Sequence, residues 1–487
     1  MTRLLEVNMM NNYLLIVYCL YLLISSCIFV QSATDSESSD LKPKQIVFVV
    51  LSQTNRFHVK RAEEFRIHFT KQLEHMKKED QPELYLTHEA WPDVPGAWTY
   101  FPLLNLVEEK FKDKAWLFIC EEETRLDINK LTTVLSQFDH TQEYLLGHAL
   151  QDQQATIIHH YAFHDNPSVF SYPDLGAGII LSNALFTRVG AKWPDDSYRL
   201  DFSIDPKYEL AKYIYDDGKG VKLTNIKELC TSSSPKGCAT WYPTPFPDCG
   251  KEIEEDKLFV AVKTCKKYHK DRVPVVKATW GNTTSHIEYY SEEDDPDIPT
   301  VDLGIPNTER GHCGKCMAII NRFDSHPEFS SYTWLLIADD DTIINLKRLR
   351  QLLACYDTKE PIHLGERYGY NVAKYRWGYD YITGGGGMLL NRAAVTVMKK
   401  NNLVVCNQND APDDMTLGMK LKGIGIPLTH SIYLHQARLE DYSPEYLRPR
   451  THVSFHKHWQ NDPFKVYDYL LKEPVRETVS EETHDEL

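Results

Sequence analysis

The chain has 487 residues, more than one ordinary core accommodates, so two or three domains are expected. Against 54 Lys and Arg stand 69 Asp and Glu, a formal net charge of −15. No basic stripe could offset phosphate repulsion, which excludes nucleic acid as a partner, and the acidic patches at 291–297 and in the tail solvate loops.

The chain opens with Arg3, an apolar run over 13–30 and the small residues Ser32 and Ala33. This reads as a secretory signal over 1–32, with an uncleaved anchor as the alternative. Residues 33–43 make a linker. The far end, 476–487, is an acidic tail closing on His484-Asp485-Glu486-Leu487, an address read by a lumenal retention receptor. Together these predict residence in the endoplasmic reticulum lumen, with no membrane span after signal cleavage. Of eleven cysteines, Cys19 and Cys27 fall in the signal and leave an odd number in an oxidising compartment. Cys120, on a strand pattern, is the expected free thiol. Cys313 and Cys316 are each expected in a structural disulfide, since no second pair completes a zinc site. Asn282-Thr283-Thr284 is a glycosylation sequon, which predicts an exposed loop.

Between these ends the chain repeats itself. An apolar strand ending in three carboxylates occurs at 116–123, with Glu121-Glu122-Glu123, and again at 334–341, with Asp339-Asp340-Asp341. The segment 46–52 matches 258–264, Arg61 matches Arg272, the amphipathic stretch 131–135 matches 349–353, and 176–181 matches 385–390. Uninterrupted apolar strands alternating with helices suit parallel sheets covered on both faces. The expected fold is therefore α/β, with two tandem domains from an internal duplication over 44–235 and 257–475. A Ser-, Pro- and Cys-rich linker over 236–256 joins them. Ligands of such sheets gather at the strands' carboxyl ends, where both triplets lie.

Only the second half carries a full chemical constellation. The aspartates can hold a hard divalent cation that neutralises a diphosphate. The glycine run 384–387 lets a bulky ligand approach the backbone. Asp413 and Asp414 precede a helical stretch, where either could deprotonate a hydroxyl or cap the helix. His435, after an apolar strand, could complete the metal shell, and the cluster 455–459, with His456 and His458, is a second option. The first half lacks these features and reads as a divergent, non-catalytic copy kept for folding, acceptor binding or positioning.

The residues Val262-Lys263-Thr264, Arg272, Trp280, the Asp339–Asp341 triplet, the glycine run and Pro412-Asp413-Asp414 together resemble the fringe-like family of inverting β-1,3-glycosyltransferases. Segments 365–370, 381–387 and 455–459 are similar to the members that place glucose on O-linked fucose of thrombospondin type 1 repeats. The resemblance implies GT-A-like domains, UDP-glucose as donor, Mn²⁺ as metal and fucosylated repeats as acceptor. It implies Asp341 and His435 as metal ligands, and Asp339, Asp340, Thr264, Arg272, Gly385 and Gly386 about the donor. Asp414 would be the base, with Asp413 less favoured. A fringe-type N-acetylglucosaminyl or galactosyl transferase, and a non-catalytic lumenal glycan-binding protein, are the alternatives.

Overall fold

The six-residue strand β1, Ile46–Leu51, has five consecutive buried residues, as expected of a strand covered on both faces. It lies in the computed structural model of the chain, which describes residues 41–196, 201–373, 377–457 and 460–472. The signal, the retention tetrapeptide, His458 and Trp459 lie outside the described residues. Among those described, no helix is long and apolar enough to cross a membrane.

The first sheet adds β2 (Glu83–Leu86), β3 (Trp116–Glu121), β4 (Leu145–Gly147), β5 (Ile179–Ser182) and β6 (Leu223–Asn225), in the order β6-β4-β5-β3-β1-β2. The second holds β7 (Leu258–Lys263), β8 (Ile287–Tyr290), β9 (Thr300–Val301), β10 (Trp334–Asp339), β11 (His363–Gly365), β12 (Met388–Asn391) and β13 (Thr429–His430). Its order is β9-β8-β7-β10-β12-β11-β13. Apart from the extra edge strand β9, the two orders are the same. In each, the acidic strand runs parallel to the opening strand and antiparallel to its other neighbour. Even the register repeats, with Ile46 opposite Trp116 and Leu258 opposite Trp334.

Local chemistry repeats as well. Asp127 caps helix α1 (Ile128–Leu135) by accepting from the Lys130 amide at 3.0 Å, and Asn345 caps α2 (Leu346–Leu353) through the Arg348 amide at 2.8 Å. Gly178 and Gly387 both sit at φ +97°, which a side chain resists, and each leads into the strand that pairs with the acidic one. These matched details support the duplication expected from the sequence.

The sheets are not independent beads. Residues from Pro43 onward form one compact unit, and strand 202–203 of the first half pairs with 367–370 of the second. Cys230 bonds Cys238, Cys249 of the linking segment bonds Cys355, and Cys313 bonds Cys406. Cys120 is a buried free thiol as expected, and so is Cys265. The expectation for Cys316 is corrected. Cys406 takes Cys313, while Cys316 packs free in the apolar core beside Phe259 and Phe323. Asn282 of the sequon is exposed.

Candidate active site

Strand β10 is apolar up to Ala338 and then delivers Asp339, Asp340 and Asp341 at its carboxyl end. An antiparallel ribbon pairs 342–344 with 454–456 and sets His456 opposite Thr342. That register brings ligand atoms of Asp339, Asp341 and His456 within 4.8 Å of one another. His456 Nε2 lies 3.0 Å from Asp341 Oδ1 and 3.7 Å from Asp339 Oδ2. Its Nδ1 lies 2.9 Å from the Gln436 carbonyl oxygen and donates to it, which aims Nε2 at the carboxylates. Burial disfavours the imidazolium, but Asp341 and Asp339 outweigh it and raise the proton affinity of His456. A cation held here replaces that proton. Two carboxylates and an imidazole, with the ring orientation fixed from behind, fit a divalent cation that tolerates both oxygen and nitrogen.

The structure does not bring His435 to this group. Its ring is 1 % exposed, stacks on Phe455 at 4.6 Å and has Nε2 3.0 Å from His452 Nδ1. Burial holds its pKa well below the ordinary value, so it is a neutral core histidine. His456 stands in the place expected of it.

The donor-side residues meet one another. Thr264 donates its hydroxyl to Asp340 at 2.7 Å, and the Arg272 guanidinium spans Asp340 at 3.0 Å and Asp341 at 2.9 Å. Arg272 also lies 3.8 Å from the centre of the Tyr268 ring. Burial, with Asp341 alongside, pushes Asp340 up to about 6. The glycine run serves the protein's own side chains more than an approaching ligand. A Cβ on Gly385 would sit 2.1 Å from His456 Nδ1, and one on Gly386 would be 3.2 Å from the His435 carbonyl carbon. Gly384 is the open one, with Asp339 and Lys263 nearly 4 Å from such a Cβ.

Asp413 and Asp414 begin helix α3 (Asp413–Gly423), and their environments differ. Asp413 is buried and accepts from the Lys263 ammonium, which also lies 3.0 Å from Asp339. Although burial opposes it, Lys263 holds the Asp413 pKa below the usual value, so this carboxylate is a poor proton acceptor. Asp414 accepts from the Met415 amide at 2.7 Å and the Gly384 amide at 3.4 Å. Burial, and then the charge of Asp413, push it up to about 6. A carboxylate so poised suits general-base work near neutral pH.

Sequence reasoning gave no role to Lys263 or Gln436. Lys263 carries a signal in hindsight, being the charged end of an otherwise apolar, buried strand. The Gln436 side-chain oxygen accepts from the Gly385 backbone N–H at 2.8 Å and the Gly386 backbone N–H at 3.3 Å, and the Gln436 backbone N–H donates to the Glu366 carboxylate. Gln436→Ala is expected to loosen the glycine run against His456. Affinity for a divalent cation, with Mn²⁺ as the probe in an electron paramagnetic resonance titration, should fall about 10-fold or more, as for other groups that orient metal ligands.

The first half shows what replaced this chemistry. Continuing the ribbon of 240–241 with 125–126 by one residue puts Tyr242 where the second half has His456. Arg61, the counterpart of Arg272, lies 3.1 Å from Glu123. Arg450 arrives from the second half and pairs with Asp174 at 3.0 Å, both side chains almost wholly buried. Arginines thus supply the positive charge at this copy of the site.

The Fringe-like family model matches residues 103–201 and 253–474. A Mus musculus protein named beta-1,3-glucosyltransferase is 47 % identical over 91 % of this chain and 90 % of its own length. A Homo sapiens protein of the same name is 48 % identical over 92 % and 89 %. The Notophthalmus viridescens beta-1,3-N-acetylglucosaminyltransferase radical fringe is 27 % identical, over 38 % of this chain and 52 % of its own. With the family match falling in two segments, over two sheets of one topology, the chain belongs to the Fringe-like family and is a β-1,3-glycosyltransferase.

Proposed function

We propose that the protein transfers glucose from UDP-glucose, with inversion, onto O-linked fucose of thrombospondin type 1 repeats in the endoplasmic reticulum lumen, using Mn²⁺. The observation that carries the transfer chemistry is the convergence of Asp339, Asp341 and His456, with Asp414 tied to the adjoining Gly384 amide. Glucose as the donor sugar is supported by relatives of that named activity along nine-tenths of the chain. Mn²⁺ accepts imidazole alongside carboxylate more readily than Mg²⁺ does. The lumenal address rests on the two terminal signals, and the three disulfides agree with an oxidising compartment.

An inverting transfer needs one base and no protein nucleophile. Asp414 takes the proton of the acceptor hydroxyl as that oxygen bonds to the anomeric carbon and the bond to UDP breaks. Asp339, Asp341 and His456 would hold the cation, whose charge supports the departing diphosphate. Lys263 stays protonated, because the aspartates flanking it outweigh its burial, and keeps Asp339 and Asp413 in place. The test is incubation of the purified protein with Mn²⁺, a fucosylated repeat and, separately, UDP-glucose, UDP-N-acetylglucosamine and UDP-galactose. Transfer from UDP-glucose is expected; transfer only from another donor would replace the assignment.

A further inference from the structure

A cavity of about 510 Å³ opens where the carboxyl end of the first sheet faces the second half. It is lined by Glu121, Glu122, Trp91 and Trp98 from the first half and by Glu366 and Tyr433 from the second. Neither the Asp339–Asp341–His456 group nor Asp413 and Asp414 line it. Its volume lies in the range of ordinary small-molecule sites, ~300–1,000 Å³.

The lining favours one ligand chemistry. Glu122 is 3 % exposed and Tyr433 4 %, yet among the described residues Glu122 Oε2 and the Tyr433 hydroxyl have no hydrogen-bond partner, the other Glu122 oxygen meeting His58 Nδ1. Buried polar atoms left this way lose their hydration without recompense, which a hydroxyl-bearing ligand would restore. Burial raises the proton affinity of the carboxyl groups, Glu121 to about 8, Glu366 to about 7 and Glu122 well above the usual value. Carboxyl groups in this state both donate and accept, as sugar hydroxyls require. Trp91 adds an apolar ring to the lining, and the Trp98 ring carries the Arg367 guanidinium at 4.4 Å.

Other ligands fit less well. A metal ion would compete with Arg61, already on Glu123, and with the nearby Arg450. A diphosphate would meet Glu121, Glu122 and Glu366, while of the cations in the lining Lys207 is paired with Asp205 at 2.7 Å and the Arg367 guanidinium lies over the Trp98 ring at 4.4 Å.

We propose that this cavity is a second carbohydrate site, which takes a neutral sugar of one or two rings separately from the transfer site. The inference stands apart from the donor assigned above. Its test uses the full chain carrying Asp339→Asn and Asp341→Asn, and the native protein with EDTA, so that neither holds a metal. Each is titrated by calorimetry with methyl α-fucoside, methyl β-glucoside and the β1,3-linked glucosyl-fucose. The fucoside and glucoside arms separate an acceptor-derived ring from a donor-derived one. Saturable binding of at least one probe is expected in both preparations, undiminished by UDP. Thr54→Trp, an exposed lining position, should weaken it at least 10-fold without changing the melting temperature, and Glu122→Gln should weaken it as well. No saturable binding by any probe overturns the proposal. So does competition by UDP, or binding unchanged in both Thr54→Trp and Glu122→Gln.

Discussion

Asp414→Asn is expected to lower kcat by about 10²–10⁴-fold, the usual worth of a positioned general base, while the melting temperature and affinity for UDP stay near those of the native protein. The amide keeps the shape of the carboxylate, and its one oxygen can still accept from the Met415 amide, while the longer bond from the Gly384 amide is lost. What it loses is the capacity to take a proton. The native pH profile should carry the same signature. Asp414 must be ionised to act, and burial with Asp413 beside it pushes its pKa up to about 6. The rate therefore holds above that value and falls about tenfold per pH unit below it. Asp413→Asn removes the neighbouring negative charge, so the acidic limb should move to lower pH. It also strips Lys263 of a partner in a buried setting, so a lower melting temperature accompanies that shift. An Asp414→Asn enzyme with native kcat would remove this residue from the base role.

The parts of the molecule legible in the sequence were those specified by short segments. Strand β10 and helix α2 could be read from a continuous apolar run and from a helical spacing of Leu349, Leu352 and Leu353, all buried. The duplication was legible because it repeats such segments in order. Features that depend on pairing between distant segments were not. His435 and His456 both follow apolar or aromatic residues and look alike locally. They are told apart by the register of 454–456 against 342–344, a contact across more than a hundred residues that no local periodicity encodes. Gly385 was legible as a place where a side chain would not fit, but what occupies the space is the ring of His456. Arg450 fills the first half's copy of the site from the other end of the chain, which a comparison of the two halves segment by segment does not show.

His456→Ala and His435→Ala separate the two histidines by experiment. Removing His456 takes one of the three converging ligand groups away, so Mn²⁺ affinity should drop by well over ~100-fold, beyond the 10–100-fold typical of groups that only orient a ligand. Transfer should fall with it and recover in part at high Mn²⁺. Two carboxylates remain, and carboxylates alone still bind a hard cation. Folding should suffer modestly, because Asp341 loses one buried partner but keeps Arg272 at 2.9 Å. His435→Ala predicts the reverse order of effects. Its ring lies between Phe455, Tyr442 and His452 in the core, so truncation leaves a cavity and lowers the melting temperature. Mn²⁺ affinity in the protein that remains folded should stay near native, because the His435 ring is not one of the converging ligands and the Gln436 backbone that orients His456 is kept. A larger loss of Mn²⁺ affinity in His435→Ala than in His456→Ala would return the ligand role to His435 and require the 454–456 ribbon to shift when metal binds.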